Sequence, residues 1–525
     1  MTDQPEGGRS FESDIRRISG DAFVDWILAV ESGSGDRSPE QQQVISTVHQ
    51  LAQELPADVS LPAHFRLARL LHPSPGSDTL LANDLRLLAG GAPPVLPEPA
   101  GDAVLAALQA WVAECFGGLL LGDSGLGLGW STPARARLDR MVAADSTLPF
   151  TTDSTSEQSV WIDSSTGGQT MQLAGVGPSI AVAAFRQAAL RRPPQLEDLL
   201  QGLPQALRQA RNAYAEQEVQ ATGLAGLTGI LLPDQKQEII TSWGRVRATR
   251  RTDNLLAQHG GGTAAAESHL DDGTVIRSQG TGDLTIECSV PWGAKVTLHA
   301  GDETPPMRAT THPGSHQELA RRAQQVRLAF TLTMNSPSSP ALLPTWSLIE
   351  SPTAPANGFS YTELARLRHR TPTRISVEQA EEWERWITAL DAAPLTNLGH
   401  APQRLLRAVT ERFDSTDALV DAVIVWESIF GTHAEITFRV CASLARLLYP
   451  TLEERRAFFK LAKGVYDMRS RIVHGAQDIT PKKIDDARDL AITTATLALR
   501  ELITNRRDLL ELRDSPKRSE QILLE

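Results

Sequence analysis

The sequence contains little cysteine and no excess of positive charge. Its three cysteines lie far apart in 525 residues and form no CxxC pair (Cys115, Cys288 and Cys441). This spacing excludes a disulfide scaffold and a cysteine-rich zinc site, and it favours a reducing compartment. The formal net charge of −12 argues against a constitutive, non-specific nucleic-acid binder, because affinity for phosphate depends on clustered Lys and Arg. A local basic cleft remains compatible with this total, since whole-chain charge says little about one site.

Long apolar runs are also missing. The longest candidate, residues 419–430, is interrupted by Asp421 and Glu427 and is shorter than the ~18 apolar residues of a membrane span. The N-terminal segment is polar and lacks the apolar core of a signal peptide. We therefore expect a cytoplasmic protein that does not cross a membrane.

The length and the changes of pattern along the chain predict several domains. A chain of 525 residues exceeds one ordinary domain, so about two to four are expected. Residues 1–20 are expected to be disordered, 21–216 to be mainly helical, 217–350 to form a β-rich module, and 376–512 to form an all-α bundle. The predicted fold class is therefore multidomain α+β, with the helical bundle at the C-terminal end.

Composition gives finer predictions within the first two regions. Gly, Ser and Thr are frequent between 122 and 159, which predicts a loop. Apolar spacing predicts a helical pair at 178–190 and 196–216. Short runs of β-branched residues separated by Gly and Asp turns then predict strands, for example at 284–290, and residues 317–327 are expected to be a helix.

The C-terminal bundle is predicted from helix-start signals and apolar periodicity. Capping boxes are expected at 376–379, 432–435 and 451–454. Thr480 and Pro481 supply an N-cap and a first-turn proline, which should start one last long helix ending at about residue 512. About five or six helices joined by short loops form an all-α bundle.

The helix that starts near Thr451 carries the residues with the most chemical content. Gly475 is well placed as its C-terminal cap, so the helix is expected to end near Val473. On an ideal helix, five residues turn by about 500°, which leaves Arg469 and His474 ~140° apart. The two side chains share a face only if the last turn unwinds at the glycine, so that they converge beside a second helix or a second subunit.

An arginine and a histidine together suit RNA cleavage without a metal ion or a cofactor. The 2′-hydroxyl must lose a proton while it attacks the neighbouring phosphate, and the 5′-oxygen must gain one; histidine serves either step near neutral pH. Arginine stays charged and binds phosphoryl oxygens as negative charge builds up. Arg469 and His474 are therefore the candidate catalytic residues, with phosphate contacts from Ser470 and Arg471. One pair supplies one acid or base, so a symmetric homodimer could supply both.

The spacing of this pair does not identify a site by itself. An arginine followed by a histidine after four to six residues occurs twice, at Arg469 and His474 and at Arg66 and His72. The alternative for His474 is a helix-end histidine that bonds to backbone carbonyls and is favoured by the helix dipole.

The sequence around the pair resembles a known family. The stretches are Val423-Ile-Val-Trp-Glu-Ser-Ile-Phe-Gly431, then residues 435–448, then Tyr466-Asp-Met-Arg469-Ser-Arg-Ile-Val-His474-Gly475. In this order they resemble the Apea-like HEPN family, whose hallmark is Arg, four to six residues, and His at a helix end. The resemblance covers about 376–512. It implies a dimeric HEPN-type helical bundle, often a metal-independent endoribonuclease in antiviral defence or toxin systems, although some members bind nucleotides or RNA without cutting.

Glu427 lies within an apolar helical pattern, where an unpaired carboxylate is costly. Arg439, Arg446 and Arg469 are its candidate partners. Glu427 and Arg439 are therefore expected to support the site, most simply through a buried ion pair that orients Arg469. Glu435 and Arg439, four residues apart, are most simply a solvated helix pair.

The function expected from the sequence is that of an endoribonuclease whose large N-terminal region senses a signal or restrains the C-terminal effector. RNA is the expected partner, and a phage component or a nucleotide acting on the N-terminal region is the expected trigger. Defence against phage follows from the resemblance, and no residue shows it. The alternative is a binding protein in which the same bundle holds RNA, a nucleotide or a partner without chemistry.

Overall fold

A computed structural model gives the structure of the chain. It describes residues 11–30, 36–54, 67–74, 76, 78–121, 132–148, 158–164, 167–190, 193–250, 265–269, 275–279, 282–300, 314–334, 342–353, 358–361, 372–432, 434–475 and 479–525. The fold is mixed α+β with a helical C-terminal region, as the sequence predicts.

The first third of the chain is mainly helical. In chain order the helices are α1 (Phe11–Ser19), α2 (Asp21–Ile27), α3 (Pro39–Gln53), α4 (Leu81–Leu88), α5 (Ala103–Leu120), α6 (Pro133–Ala144), α7 (Leu173–Ala189) and α8 (Leu196–Tyr214). The pair α7 and α8 confirms the helical pair predicted from apolar spacing, although α7 begins five residues earlier than expected.

Two of these helices lie where the sequence predicts none. α1 occupies the second half of the segment expected to be disordered, because its Ile15 is buried in the core. α6 lies inside the segment predicted to be a loop, and its Leu138 is fully buried. Both predictions were wrong for these residues, while 1–10 and 122–131 lie outside the described part of the chain.

α5 is the one helix in the described residues that is long and apolar enough to cross a membrane. The longest apolar candidate predicted from the sequence, residues 419–430, was therefore the wrong one. Of its 18-residue window, 67% is buried inside the protein. Trp111 and Phe116 are almost fully covered, and the helix contacts α2, α6, α7 and α8. α5 is therefore packed as the core helix of the N-terminal region.

The strands form antiparallel sheets and one short parallel pair. They are β1 (Gln158–Ser164), β2 (Gly167–Gln172), β3 (Val219–Thr228), β4 (Ile230–Leu231), β5 (Glu238–Thr241), β6 (Gly244–Ala248), β7 (Ala265–His269), β8 (Val275–Gln279), β9 (Leu284–Trp292), β10 (Ala294–Ala300), β11 (Leu343–Ile349), β12 (Gly358–Tyr361) and β13 (Thr373–Arg374). The largest sheet has the order β12-β11-β3-β9-β6-β5, and a three-stranded sheet has the order β10-β1-β2. β7 pairs with β8, and β13 runs parallel to β4.

One face of the six-stranded sheet is covered by a long helix, α9 (Gly314–Met334). Ile239, Val246 and Ile286 lie opposite one another on β5, β6 and β9, so they share one face of the sheet, and all three are fully buried. The helix approaches closely at Gly223, where a Cβ would lie 3.2 Å from the Leu319 side chain. The predicted helix at 317–327 is confirmed, and it continues through the apolar segment to residue 334.

The C-terminal region is a helical bundle. Its helices are α10 (Val377–Asp391), α11 (Ala401–Leu406), α12 (Ser415–Phe430), α13 (Ile436–Leu448), α14 (Leu452–Val473), α15 (Pro481–Thr504), α16 (Arg507–Glu511) and α17 (Ser515–Leu524). α12 packs against α13, α14, α15 and α17. The capping boxes predicted at the starts of α10 and α14 are both present.

Two helix-boundary predictions in this bundle were wrong. α13 begins without a capping box, because Glu435 has a left-handed backbone (φ 52°) and no side-chain bond at the N-cap. The last long helix ends at Thr504 and is followed by α16 and α17. α17 packs separately because its buried Arg518 donates to the carbonyls of Ile429 (2.7 Å) and Ser428 (2.9 Å), at the C-terminal end of α12.

α9 joins the sheet to the bundle. The Trp383 indole of α10 donates to the Val326 carbonyl (3.0 Å), and the Gln325 amide donates to the Ile387 carbonyl (3.1 Å). α9 also contacts α11 and α15.

The buried Arg327 of α9 extends this connection to a single π-helical turn, Arg407–Glu411, that follows α11. Its guanidinium donates to Thr410 Oγ1 (2.8 Å) and Glu411 Oε1 (3.0 Å). It also donates to the Leu342 carbonyl (2.9 Å), beside β11. One side chain thus links α9, the bundle and the sheet.

Trp383→Ala is expected to lower the free energy of unfolding by about 3–5 kcal/mol, because it leaves a cavity beside Phe330 and removes the bond to α9. Urea unfolding followed by far-UV circular dichroism measures the change. Glu520→Ala, on an exposed residue of α17, should stay within about 0.5 kcal/mol. A loss below about 1 kcal/mol for Trp383→Ala would contradict this packing.

Candidate active site

The C-terminal end of α14 is capped by a glycine, as the sequence predicts. The helix ends at Val473, and Gly475 has a left-handed backbone with φ 81°. The His474 N–H donates to the Ser470 carbonyl (3.1 Å), and the Gly475 N–H donates to the Ile472 carbonyl (2.9 Å). The regular hydrogen-bond ladder therefore continues up to His474, and the chain turns only at the glycine.

This geometry keeps Arg469 and His474 on different sides of α14. The unwinding that would bring both onto one face is not observed, because the backbone hydrogen bonds remain helical through His474. The two side chains therefore leave the helix ~140° apart. Within the described residues, no hydrogen bond joins Arg469 to His474. A site that uses both groups has to be completed by something other than this helix alone.

The imidazole of His474 is exposed. No hydrogen bond or ion pair to it is found in the part of the chain that the structure describes. The alternative of a histidine side chain bonded to helix-end carbonyls is therefore not the arrangement observed.

Arg469 is half-buried and has an orphan donor. Its Nε is buried and has no hydrogen-bond partner among the described residues. A buried donor without an acceptor costs about 1–3 kcal/mol. Arg469 therefore holds one charged N–H that an acceptor can reach only if the side chain turns outward, because the atom is covered in this structure.

Glu427 of α12 is paired with a tyrosine. The Tyr466 hydroxyl donates to Glu427 Oε1, and the ion pair predicted between Glu427 and Arg439, Arg446 or Arg469 is absent from the described residues. Burial raises the pKa of Tyr466 well above its ordinary value, and the bond to the Glu427 carboxylate raises it further. The positive charge of Arg469 acts on the same hydroxyl in the opposite direction.

The pairing of Tyr466 with Glu427 was not predicted from the sequence. The signal that could have found it is the spacing of three residues from Tyr466 to Arg469, which places both on neighbouring positions of one helix face. Tyr466 and Glu427 thus form a partly buried polar pair beside the candidate arginine.

The other predicted residues are distributed around α13 and α14. Arg439 is half-buried, and its expected pair with Glu435 is absent from the described residues, because Glu435 stands outside the helical turn. Ser470 is half-buried and its carbonyl accepts from the His474 N–H, while Arg471 is exposed in the last turn of α14.

The described residues contain no group of three or more His, Cys, Asp or Glu side chains that could hold a metal ion. Comparison with protein-family models, with curated proteins and with solved structures finds no match to the chain. The chemistry of the site is therefore argued from its own residues.

Tyr466→Phe is expected to make the free energy of unfolding fall less steeply at alkaline pH. Below about pH 10 the tyrosine is neutral in both states, and above it the unfolded chain ionises first because the folded pKa is raised. The free energy of unfolding of the wild type should therefore fall more steeply above about pH 10 than that of the variant. Urea unfolding at about pH 8 and pH 10.5 measures both slopes. Equal slopes would contradict the buried pair with Glu427.

Proposed function

We propose that this chain is a cytoplasmic, metal-independent endoribonuclease whose C-terminal bundle cleaves RNA through Arg469 and His474. One observation carries the proposal: the Arg469 guanidinium has a buried donor without an acceptor, five residues before an exposed histidine at a glycine-capped helix end. The resemblance of 376–512 to the Apea-like HEPN family supports the same assignment.

Arg469 is proposed to bind the scissile phosphate. Once the side chain turns outward, a phosphoryl oxygen supplies the acceptor that its buried Nε lacks, and such charge-assisted bonds are stronger than neutral ones. Because the guanidinium stays positive, it stabilises the extra negative charge on the phosphorane-like transition state. Ser470 and Arg471, in the same helical turn, are proposed to add phosphate contacts.

His474 is proposed to move the protons. The RNA 2′-oxygen loses its proton and attacks the adjacent phosphorus, the P–O5′ bond breaks, and the 5′-oxygen takes up a proton. The products are a 2′,3′-cyclic phosphate and a 5′-hydroxyl. An exposed imidazole without a protein partner in the described residues is free to carry out either proton transfer.

We propose a homodimer through the C-terminal bundle, since one chain supplies one histidine while the reaction needs a base and an acid. Large exposed apolar side chains on α13 and α14 support it: Ile436 (39% exposed), Phe438 (56%), Leu461 (58%) and Val473 (54%). In such a dimer the two-fold partner would place its own Arg469 and His474 opposite this end of α14. Groups from the two chains could then meet although Arg469 and His474 of one helix point ~140° apart.

Glu427 and Arg439 are proposed as positioning residues. Glu427 holds the Tyr466 hydroxyl beside Arg469, so the polar pair restricts where the guanidinium can lie. Arg439 has no carboxylate partner in the described residues, so it adds positive charge to the RNA-binding side of α13.

The N-terminal region is proposed to restrain this activity. A nuclease acting on cellular RNA must be held inactive, and α9 connects the bundle to the six-stranded sheet through Trp383 and Arg327. Antiviral defence or a toxin-type system, with a phage component or a nucleotide as the trigger, is the setting that the family resemblance suggests.

The second candidate is a non-catalytic bundle that binds RNA, a nucleotide or a partner protein. The regular helix up to His474 favours it, because Arg469 and His474 of one chain stay on different sides of α14. The two candidates differ in whether the imidazole is needed for RNA cleavage.

Full-length protein is expected to cleave total RNA in the presence of EDTA, and His474→Ala should lose at least about 100-fold in rate because the proton transfer is lost. The measurement is gel analysis of labelled RNA with a test for cyclic-phosphate ends, repeated with extract of phage-infected cells to supply a trigger. His400→Ala, at a helix start far from α14 in sequence, is the matched control and should keep full activity. Intact RNA under both conditions, with RNA binding retained, would establish the second candidate.

Co-expression of wild-type and His474→Ala chains tests the shared site. If each site needs both histidines, an equal mixture keeps about a quarter of the wild-type rate, because only wild-type pairs act, whereas independent sites keep about half of it. The cleavage rate of the whole mixture, at fixed total concentration and without selection for mixed dimers, distinguishes these values. A rate near one half would show that each chain acts alone.

A further inference from the structure

A cavity lies at the opposite end of α14 from His474. It has a volume of about 350 Å³ and is formed between α10, the end of α13 and the last turns of α15. Tyr449, which lines it, precedes α14, whereas His474 follows that helix of 22 residues. The helix is about 33 Å long, so the cavity is separate from the proposed nuclease site.

The walls of this cavity are aromatic and aliphatic. Trp386 and Tyr449 line it together with Leu448 and Leu497. The guanidinium of Arg500 lies over the Trp386 ring, 5.0 Å from its centroid. A partly apolar space of this size beside two aromatic rings and a guanidinium suits a planar heterocycle.

Glu501 supplies an acceptor that no cation neutralises within the described residues. The residue lines the cavity and is half-buried, and its carboxylate accepts only from the Asn505 amide (2.8 Å) there. One carboxylate oxygen is thus left for a ligand with N–H donors.

Arg500 supplies donors on a fixed plane. It donates to the Leu332 carbonyl of α9, lies 3.6 Å from a Glu382 oxygen, and rests on Trp386. These contacts hold the guanidinium in place and use only part of its five N–H groups. The cavity therefore offers hydrogen-bond donors from Arg500 and a carboxylate acceptor from the next residue, Glu501.

We propose that this cavity binds the guanine base of a nucleoside or nucleotide. The N1–H and N2–H₂ groups of guanine match the Glu501 carboxylate, and its O6 and N7 accept from Arg500. In the same orientation, adenine would place its N1 acceptor against the Glu501 carboxylate and its N6 donor against Arg500, so that only N7 would still be paired. The proposal does not depend on RNA cleavage, since none of its residues belongs to the proposed nuclease site.

Equilibrium dialysis of the full-length protein with radiolabelled guanosine monophosphate and adenosine monophosphate tests the proposal. Guanosine monophosphate is expected to bind at least about tenfold more tightly. Glu501→Gln should weaken its binding about tenfold or more, because the amide cannot accept from both guanine groups. Thr504→Trp, at an exposed position that lines the cavity, should block binding by filling the space.

Two controls make the result specific. Glu520→Gln changes an exposed carboxylate on α17 outside the cavity and should leave binding unchanged. His474→Ala should also retain binding, so a failure of the nuclease proposal and a failure of this one can be told apart. No binding at millimolar nucleotide, equal binding of both nucleotides, or unchanged binding in Glu501→Gln would each overturn the proposal.

Discussion

The two-sided burial of α9 is the constraint on which the rest of the structure depends. One side of this helix covers the six-stranded sheet, where Leu319 approaches Gly223, and the other side carries the bonds to the bundle. Arg327 is buried between them, and Thr410, Glu411 and a carbonyl accept its donors, so that its buried charge is compensated. The sheet and the bundle are therefore both positioned by their contacts with α9.

The candidate site depends on which of its polar groups have hydrogen-bond partners within the fold. The bundle satisfies Glu427 with the Tyr466 hydroxyl and leaves Arg469 Nε without an acceptor in the described residues. Had Arg469 paired with Glu427, as expected from charge alone, its guanidinium would have been neutralised within the fold. The tyrosine therefore keeps the arginine available for an anionic ligand, which is what a phosphate-binding role requires.

Local signals predicted the structure well where the chain itself decides it. The capping boxes before α10 and α14 and the glycine after His474 depend on residues within one turn, and all three are present. Most predictions that failed depend on a distant contact, as for α1, α6 and the partner of Glu427. The local capping-box signal at 432–435 also failed, because Glu435 has a left-handed backbone. The ~140° angle between Arg469 and His474 could likewise be predicted, because it follows from helix geometry. Which groups complete the site could not be predicted, because they lie outside this helix.

The connection through α9 has a consequence for how such a protein can be assembled by recombination. The boundary suggested by sequence pattern, between 351 and 375, separates the bundle from the helix to which Trp383 and Arg500 bind. A gene fusion made at that boundary would leave these side chains facing solvent. A bundle transferred to another protein would have to bring α9 with it, and α9 in turn needs a sheet to cover. The bundle and the sheet would therefore have to be transferred together, as one exchangeable unit.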